Sequence, residues 1–239
     1  ALLDALGGAR AVMGVTELAQ VVNLPKATAH RLLTVLIDSG YVRRAAGDKY
    51  ALSTRAFELG NQVAVARANG LRDRSMPVLA ELYAQTREVI HLAVPAGPSV
   101  LYVEKLFGPE SARIGTAVGT RRPQHATALG KSMLAFSDSH GSETMQSRYL
   151  RFTAFTIATP DRLGRALDKV REEGYATDFE ESVLGISCIA VPILDRRTRK
   201  PVAAISLAAG AVGQSVLRHK TLMLRAAEQL SGHVSTLVA

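Results

Sequence analysis

The 239-residue sequence contains a single cysteine, Cys188. One thiol cannot form an internal disulfide and leaves no cysteine-rich zinc site, so a reducing cytoplasm is the expected setting. No apolar run approaches the ~18 residues that a membrane helix needs, so no membrane partner is expected. The opening stretch, ALLDALGGAR, has neither a basic leader nor a separated apolar core, which argues against a secretory signal. It starts abruptly in a helical pattern, and a few native residues are expected to precede it. Internal repeats and low-complexity tracts are lacking. No two histidines have metal-ligand spacing, so neither a metal nor a cofactor is expected.

Charge of one sign is scarce where a nucleic-acid surface would be sought first. The chain carries 29 basic and 21 acidic residues, a net charge of +8, which favours polyanionic partners. Residues 1–60 hold only +2 of that excess. Net charge therefore does not locate such a surface.

The stretch HATALGKS, residues 125–132, ends like a phosphate-binding loop but lacks its first glycine, since His125 stands five residues before Gly130. Thr127 and Leu129 resist the positive-φ geometry of a phosphate nest. A nucleotide site is excluded. Read instead as a helix start, the stretch has Gly130 allowing close packing and Lys131 on the surface or at an interface.

The chain changes character near residue 60. Short helical patterns and one hairpin precede it, and a polar, helix-like connector follows. A helix over 72–86 then leads to strands at VIHLAVP and SVLYVEKL, joined by a turn at PAGPS. ARIGTAVG reads as a third strand and ATALGKSMLAF as an amphipathic helix. Thr159-Pro160-Asp161 starts a further helix that Gly174 ends. Strands at YATDFEES, ISCIAVPIL and KPVAAISLA and a C-terminal helix complete the pattern. Strands in succession with helices to one side predict an α+β domain.

Residues 15–44, VTELAQVVNLPKATAHRLLTVLIDSGYVRR, carry the densest signal. Thr16 can cap a short helix, Asn23-Leu24 can turn, and Pro25 suits the first turn of a second helix. Ala29, Leu32, Leu33, Leu36 and Ile37 follow the stripe of a core-facing surface. Lys26 lies at the N-terminal end, and Ala27, Thr28, His30 and Arg31 are left for the other side. Two helices joined by a short turn, with arginine and small residues on the open face, make a DNA-reading motif: Arg31 can take guanine in bidentate fashion, and Thr28 can donate to a base or phosphate. The following YVRRAAGDKYAL supplies a hairpin whose Arg43, Arg44 and Lys49 suit phosphates, as the wing of a winged helix-turn-helix does. The partner so implied is double-stranded operator DNA.

In ISCIAVPIL, alternation puts Ile189, Val191 and Ile193 on one face and Ile186, Cys188 and Ala190 on the other. In VAAISLA it separates Ala203, Ile205 and Leu207 from Val202, Ala204, Ser206 and Ala208. The second face is small-residued with isolated polar atoms, which leaves room for a compact ligand or for a closely packed helix.

The order of these segments resembles the IclR family of bacterial transcription regulators over essentially the whole chain. VTELAQVVNLPKATAHRLLTVLIDSGYV, KYALSTRAFELG, RRPQHATALGKSMLA, DFEESVLGISCIAVPI and AAISLAAG fall in that family's order. The resemblance implies a winged helix-turn-helix domain over 1–60, a linker helix over 61–73 and a GAF-like (profilin-like) effector-binding domain over 74–239. It further implies a homo-oligomer, dimer or tetramer, and a small-molecule effector of the organic or aromatic acid class. Carried over by position, the effector wall is Arg122, Ala128, Leu129, Asp178, Ile186, Cys188 and Ser206, with His125 where that wall begins and N–H groups at the helix start available to an acid. Many relatives have serine at Ala208, glycine at Ala209 and an apolar residue at Arg122, so no particular effector follows. A second reading makes Cys188, His125 and Asp178 a cysteine-hydrolase set. Against it, a mid-strand thiol in an apolar run is held protonated and unreactive.

Overall fold

A computed structural model describes all residues except 9–10, 110, 112–113, 139–148, 211–214 and 235–239. Within it residues 1–68 and 69–239 form separate compact units.

The first unit contains α1 (Leu2–Leu6), β1 (Met13–Gly14), α2 (Val15–Val21), α3 (Lys26–Asp38), β2 (Val42–Ala45), β3 (Lys49–Leu52) and α4 (Thr54–Gly60). Leu2, Leu6, Met13, Leu18, Leu33, Val42 and Tyr50 close its core. Asn23 takes the left-handed conformation (φ 52°) that asparagine tolerates, and the Leu24 N–H donates to Ala19 O at 2.9 Å, so α2 ends and α3 starts within a few residues. Gly40 (φ 79°) ends α3, with Tyr41 N–H donating to Leu36 O at 2.9 Å. β2 and β3 pair antiparallel around Gly47 and Asp48, and β1 adds to the far edge of β3.

Three expectations change here. Thr16 does not cap α2: the helix follows β1 directly, its cap position is Gly14, and no side chain bonds there. Leu32 flanks the core-facing stripe and is 36% exposed, whereas Ala29 and Leu33 are fully buried. The connector predicted as a helix over 61–73 is a run of turns to residue 70, after which Leu71 starts the next helix. Gly60 ends one helix, and Asn69 (φ 57°) precedes the Gly70 cap of the other, so the intervening backbone has helix-stopping residues at both ends.

The second unit is built on a six-stranded antiparallel sheet of order β6-β5-β4-β9-β8-β7. Its elements are α5 (Leu71–Thr86), β4 (Val89–Ala96), β5 (Ser99–Leu106), β6 (Arg121–Pro123), α6 (Ala128–Leu134), α7 (Pro160–Glu173), β7 (Ala176–Phe179), β8 (Ile186–Leu194), β9 (Pro201–Gly210) and α8 (Lys220–Val234). The strand faces divide as their alternation predicts. Ile189 pairs with Leu207 and Val191 with Ile205, all fully buried, while Cys188 pairs with Ala208 and Ala190 with Ser206. Ala93, Val100, Tyr102, Ala190 and Ala204 receive Ala128, Leu129 and Met133 of α6. α5 and α8 pack on each other and on β4, β8 and β9. Helices therefore cover both faces, not one, because the small-residued face leaves space for α6.

ARIGTAVG is not a strand in its described part, 114–119; Ala112 and Arg113 lie outside the described residues. The Lys105 ammonium donates to Ile114 O and Thr116 O, each at 2.8 Å, taking carbonyls that a ladder would use. Gly119 (φ 85°) then turns the chain into β6, the actual edge strand. No described helix is long and apolar enough to cross a membrane.

Candidate DNA-reading surface and buried cavity

On the first unit, Lys26, Ala27, His30 and Arg31 of α3 are exposed and Thr28 is half-buried, while Arg43, Arg44 and Lys49 are exposed on β2 and β3. None of the five cations among them, Lys26, Arg31, Arg43, Arg44 and Lys49, forms an ion pair among the described residues. Unpaired cations on a helix and an adjoining hairpin are available to phosphates without first breaking internal salt bridges.

In the second unit, the small-residued face of the sheet does not close completely under α6. It leaves a cavity of about 40 Å³, lined by all the expected wall residues but one: Arg122, Ala128, Leu129, Asp178, Ile186, Cys188 and Ser206. His125 is the exception. Its Nε2 lies 3.0 Å from Leu150 O and its ring stacks on Tyr149 at 4.7 Å, so it braces the segment beside the wall instead of facing the cavity. Burial pushes its pKa down, ahead of an opposing contribution from the Leu150 carbonyl.

Thr127 caps α6 by accepting the Gly130 N–H at 3.0 Å, so that donor is spent inside the helix rather than offered to a ligand. Gly130 is needed as expected, because an added Cβ would overlap the Gln124 backbone. Lys131 is not at the surface. Only 3% exposed, it pairs with Glu181 Oε1, and Glu181 Oε2 is buried without a partner. A lysine in an amphipathic pattern reads as solvated; its carboxylate partner lies fifty residues away and leaves no local trace.

Several lining residues had no forecast: His91, Tyr102, Thr116, Thr127 and Ser182. His91 pairs across the sheet with Ser206, and its ring nitrogens meet Ser206 Oγ at 3.3 Å and Thr116 Oγ1 at 2.8 Å. Burial, reinforced by Lys105, lowers its pKa to about 3, so the ring is neutral and presents one donor and one acceptor. Burial likewise raises the Tyr102 hydroxyl. The detectable signal was a lone histidine within the apolar VIHLAVP strand, in register with a lone serine.

Arg122 faces the cavity half-buried, with no ion-pair partner among the described residues. On the same lining, Asp178 accepts from Glu181 N–H at 2.7 Å and Ser182 N–H at 3.3 Å through Oδ1. Burial raises its pKa to about 7 despite the opposing Lys131 charge. The folded state thus holds this proton more tightly than the unfolded chain does, and stability present at acid pH is lost as pH rises from 3.8 towards about 7. Asp178→Asn keeps an acceptor for both N–H groups and removes the titration. The melting temperature of the wild type is expected to fall relative to that of Asp178→Asn across this window; parallel pH profiles would contradict the assignment.

The hydrolase arrangement does not assemble. Asp178 and Cys188 are cross-strand neighbours, but His125 is turned to Leu150, and burial pushes the Cys188 thiol well above its ordinary pKa. Among the described residues no group of side chains suits a metal ion.

A winged helix-turn-helix unit and a sheet unit holding a small, mainly apolar cavity with a few polar groups, carried on one chain, together define a transcription regulator. Residues 1–46 match the IclR helix-turn-helix domain, and residues 63–231 match the bacterial transcriptional regulator IclR C-terminal family. The chain belongs to the IclR family. It is 37% identical to the transcriptional regulator KdgR of Dickeya chrysanthemi over 82% of this chain and 64% of that protein. The glycerol operon regulatory protein of Streptomyces coelicolor is 35% identical over 87% of this chain and 81% of its own. Thermotoga maritima IclR has a similar structure, with a TM-score of 0.76 and 28% identity over 98% of this chain and 96% of that one. An IclR homologue from Microbacterium hydrocarbonoxydans complexed with 4-hydroxybenzoate shares the fold at TM-score 0.86 and 24% identity, over 98% and 96%. These relatives are regulators and not enzymes, and nothing in the geometry supports hydrolysis.

Proposed function

We propose that the chain binds a pseudo-palindromic operator as a homo-oligomer in the cytoplasm and that a small organic acid in the cavity controls this binding. The DNA contacts are Lys26, Ala27, Thr28, His30 and Arg31 in the major groove, with Arg43, Arg44 and Lys49 on phosphates. The effector contacts are Arg122, Ala128, Leu129, Asp178, Ile186, Cys188 and Ser206. The single observation that carries the acid is Arg122, a cation on the cavity lining with no ion-pair partner among the described residues. The Microbacterium relative holds an aromatic acid, which is the same chemical class. Coupling between the sites runs through residues 61–73 and requires the acid to bind one arrangement of the oligomer more tightly than the other.

Arg31→Ala tests the DNA half. Loss of a bidentate guanine contact is expected to weaken specific binding by about 1–3 kcal/mol and to relax one base position. Fluorescence anisotropy on operator duplexes varied one base at a time measures both, and unchanged affinity at every position would remove α3 as the reading element.

A further inference from the structure

The outward face of α3 holds an apolar side chain that these contacts do not use. Ala29 and Leu33 are buried and Leu36 and Ile37 half-buried, which fixes the inward side of the helix. At 3.6 residues per turn Arg31 points almost directly away from it, with Ala27 one turn earlier and Val35 one turn later, each rotated by about 40°. Val35 is 58% exposed. An apolar β-branched side chain with that exposure, the most exposed large apolar residue of α3 ahead of Leu32 at 36%, is unpartnered within its own unit. Its neighbour Thr34 directs its hydroxyl proton to His30 O at 3.2 Å, which leaves Oγ1 only as an acceptor.

The surroundings identify what covers it. Lys26 and Arg31 lie on the same helix, Arg43, Arg44 and Lys49 are exposed on the adjoining strands, and α3 has no carboxylate before Asp38. Such a frame suits a polyanion and opposes a second copy of the same cationic face. The apolar feature that a polyanionic duplex presents in its major groove is the C5-methyl group of thymine.

We propose that Val35 reads sequence, packing its methyl groups against a thymine methyl close to the guanine taken by Arg31. Four residues of helix advance about 6 Å, which corresponds to about two base pairs of duplex. The operator half-site then contains a guanine with a thymine within about two positions of it. This inference rests on the operator binding proposed above.

Full-length protein is used to select duplexes from a random pool, and affinity is then measured with each thymine of the selected half-site replaced by uracil, which lacks only the methyl group. The wild type is expected to lose about fourfold in affinity at one position, the worth of one buried methyl group. Val35→Ala is expected to bind thymine and uracil equally there while keeping its preference for guanine at the Arg31 position. Because Val35 is exposed, the variant should melt with the wild type. Equal affinity of the wild type for thymine and uracil at every position would overturn the inference, as would unchanged discrimination in Val35→Ala. A change in oligomeric mass in Val35→Ala with no change in base preference would also overturn it, in favour of a contact between copies. Those outcomes leave operator binding standing, whereas a selection that enriches no motif removes operator binding itself and this inference with it.

Discussion

Gly130→Ala is expected to lower the melting temperature of the second unit by about 6–12 °C, the effect of about 3 kcal/mol on a unit of this size. The added methyl group would overlap the Gln124 backbone. Overpacking in a core costs about 1–3 kcal/mol when side chains can shift, but here the obstacle is main chain held from two sides. Gln124 Nε2 donates to Gly97 O at 2.9 Å and to Ser99 O at 3.2 Å, and its backbone N–H donates to Pro98 O at 3.1 Å. On the other side Thr127 holds the Gly130 N–H. Movement that relieves the overlap must break one of these anchors, which places the cost at the upper end. Gly164 is the control. It lies within α7 with nothing near its missing Cβ, so Gly164→Ala is expected to stabilise by about 1 kcal/mol through helix propensity. Calorimetry on both variants separates the effects, and similar shifts in the two would contradict the close approach of α6 to the preceding turn.

The second large effect concerns Lys131. An exposed lysine is worth little, and its replacement would cost at most about 1 kcal/mol through a surface pair. Lys131 instead lies almost fully buried against Glu181, with Asp178 close enough to share its charge. Lys131→Met keeps much of the volume and strands Glu181 in the interior without a cation. Removing one partner of a buried pair is expected to cost about 3–5 kcal/mol. Replacing both partners, as Lys131→Met with Glu181→Leu, is expected to recover most of that loss, because two well-packed apolar groups can substitute for a desolvated pair at little net cost. Denaturant unfolding of the two single variants and the double variant measures the coupling. Additive effects below about 1 kcal/mol would return Lys131 to the surface position that its sequence pattern suggests.

What was legible in the sequence was local. Helix α3 and its end at Ser39-Gly40 follow from a repeating stripe and a left-handed glycine, and the faces of β8 and β9 follow from strict alternation. Seven of the eight residues expected on the effector wall surround one cavity. What was hidden depends on contacts between distant segments. The two-residue strand β1 is too short to carry a period and exists because Met13 and Gly14 pair with Tyr50 and Lys49. His125 turns from the cavity because Leu150 and Tyr149 supply an acceptor and a ring. His91 reaches the cavity through its register with Ser206, a pairing that neither strand specifies alone. The 114–119 segment reads as a strand by its β-branched residues, yet Lys105 takes two of its carbonyls.

The central claim, a regulator that reads operator DNA, is tested most directly by the ratio of two affinities. Full-length protein is titrated into a duplex selected from a random pool and into a scrambled duplex of equal length, at one fixed salt concentration. Binding to the selected duplex is expected to be tighter by about 10³-fold or more, with both affinities falling as salt rises. Equal affinity for the two duplexes would contradict it.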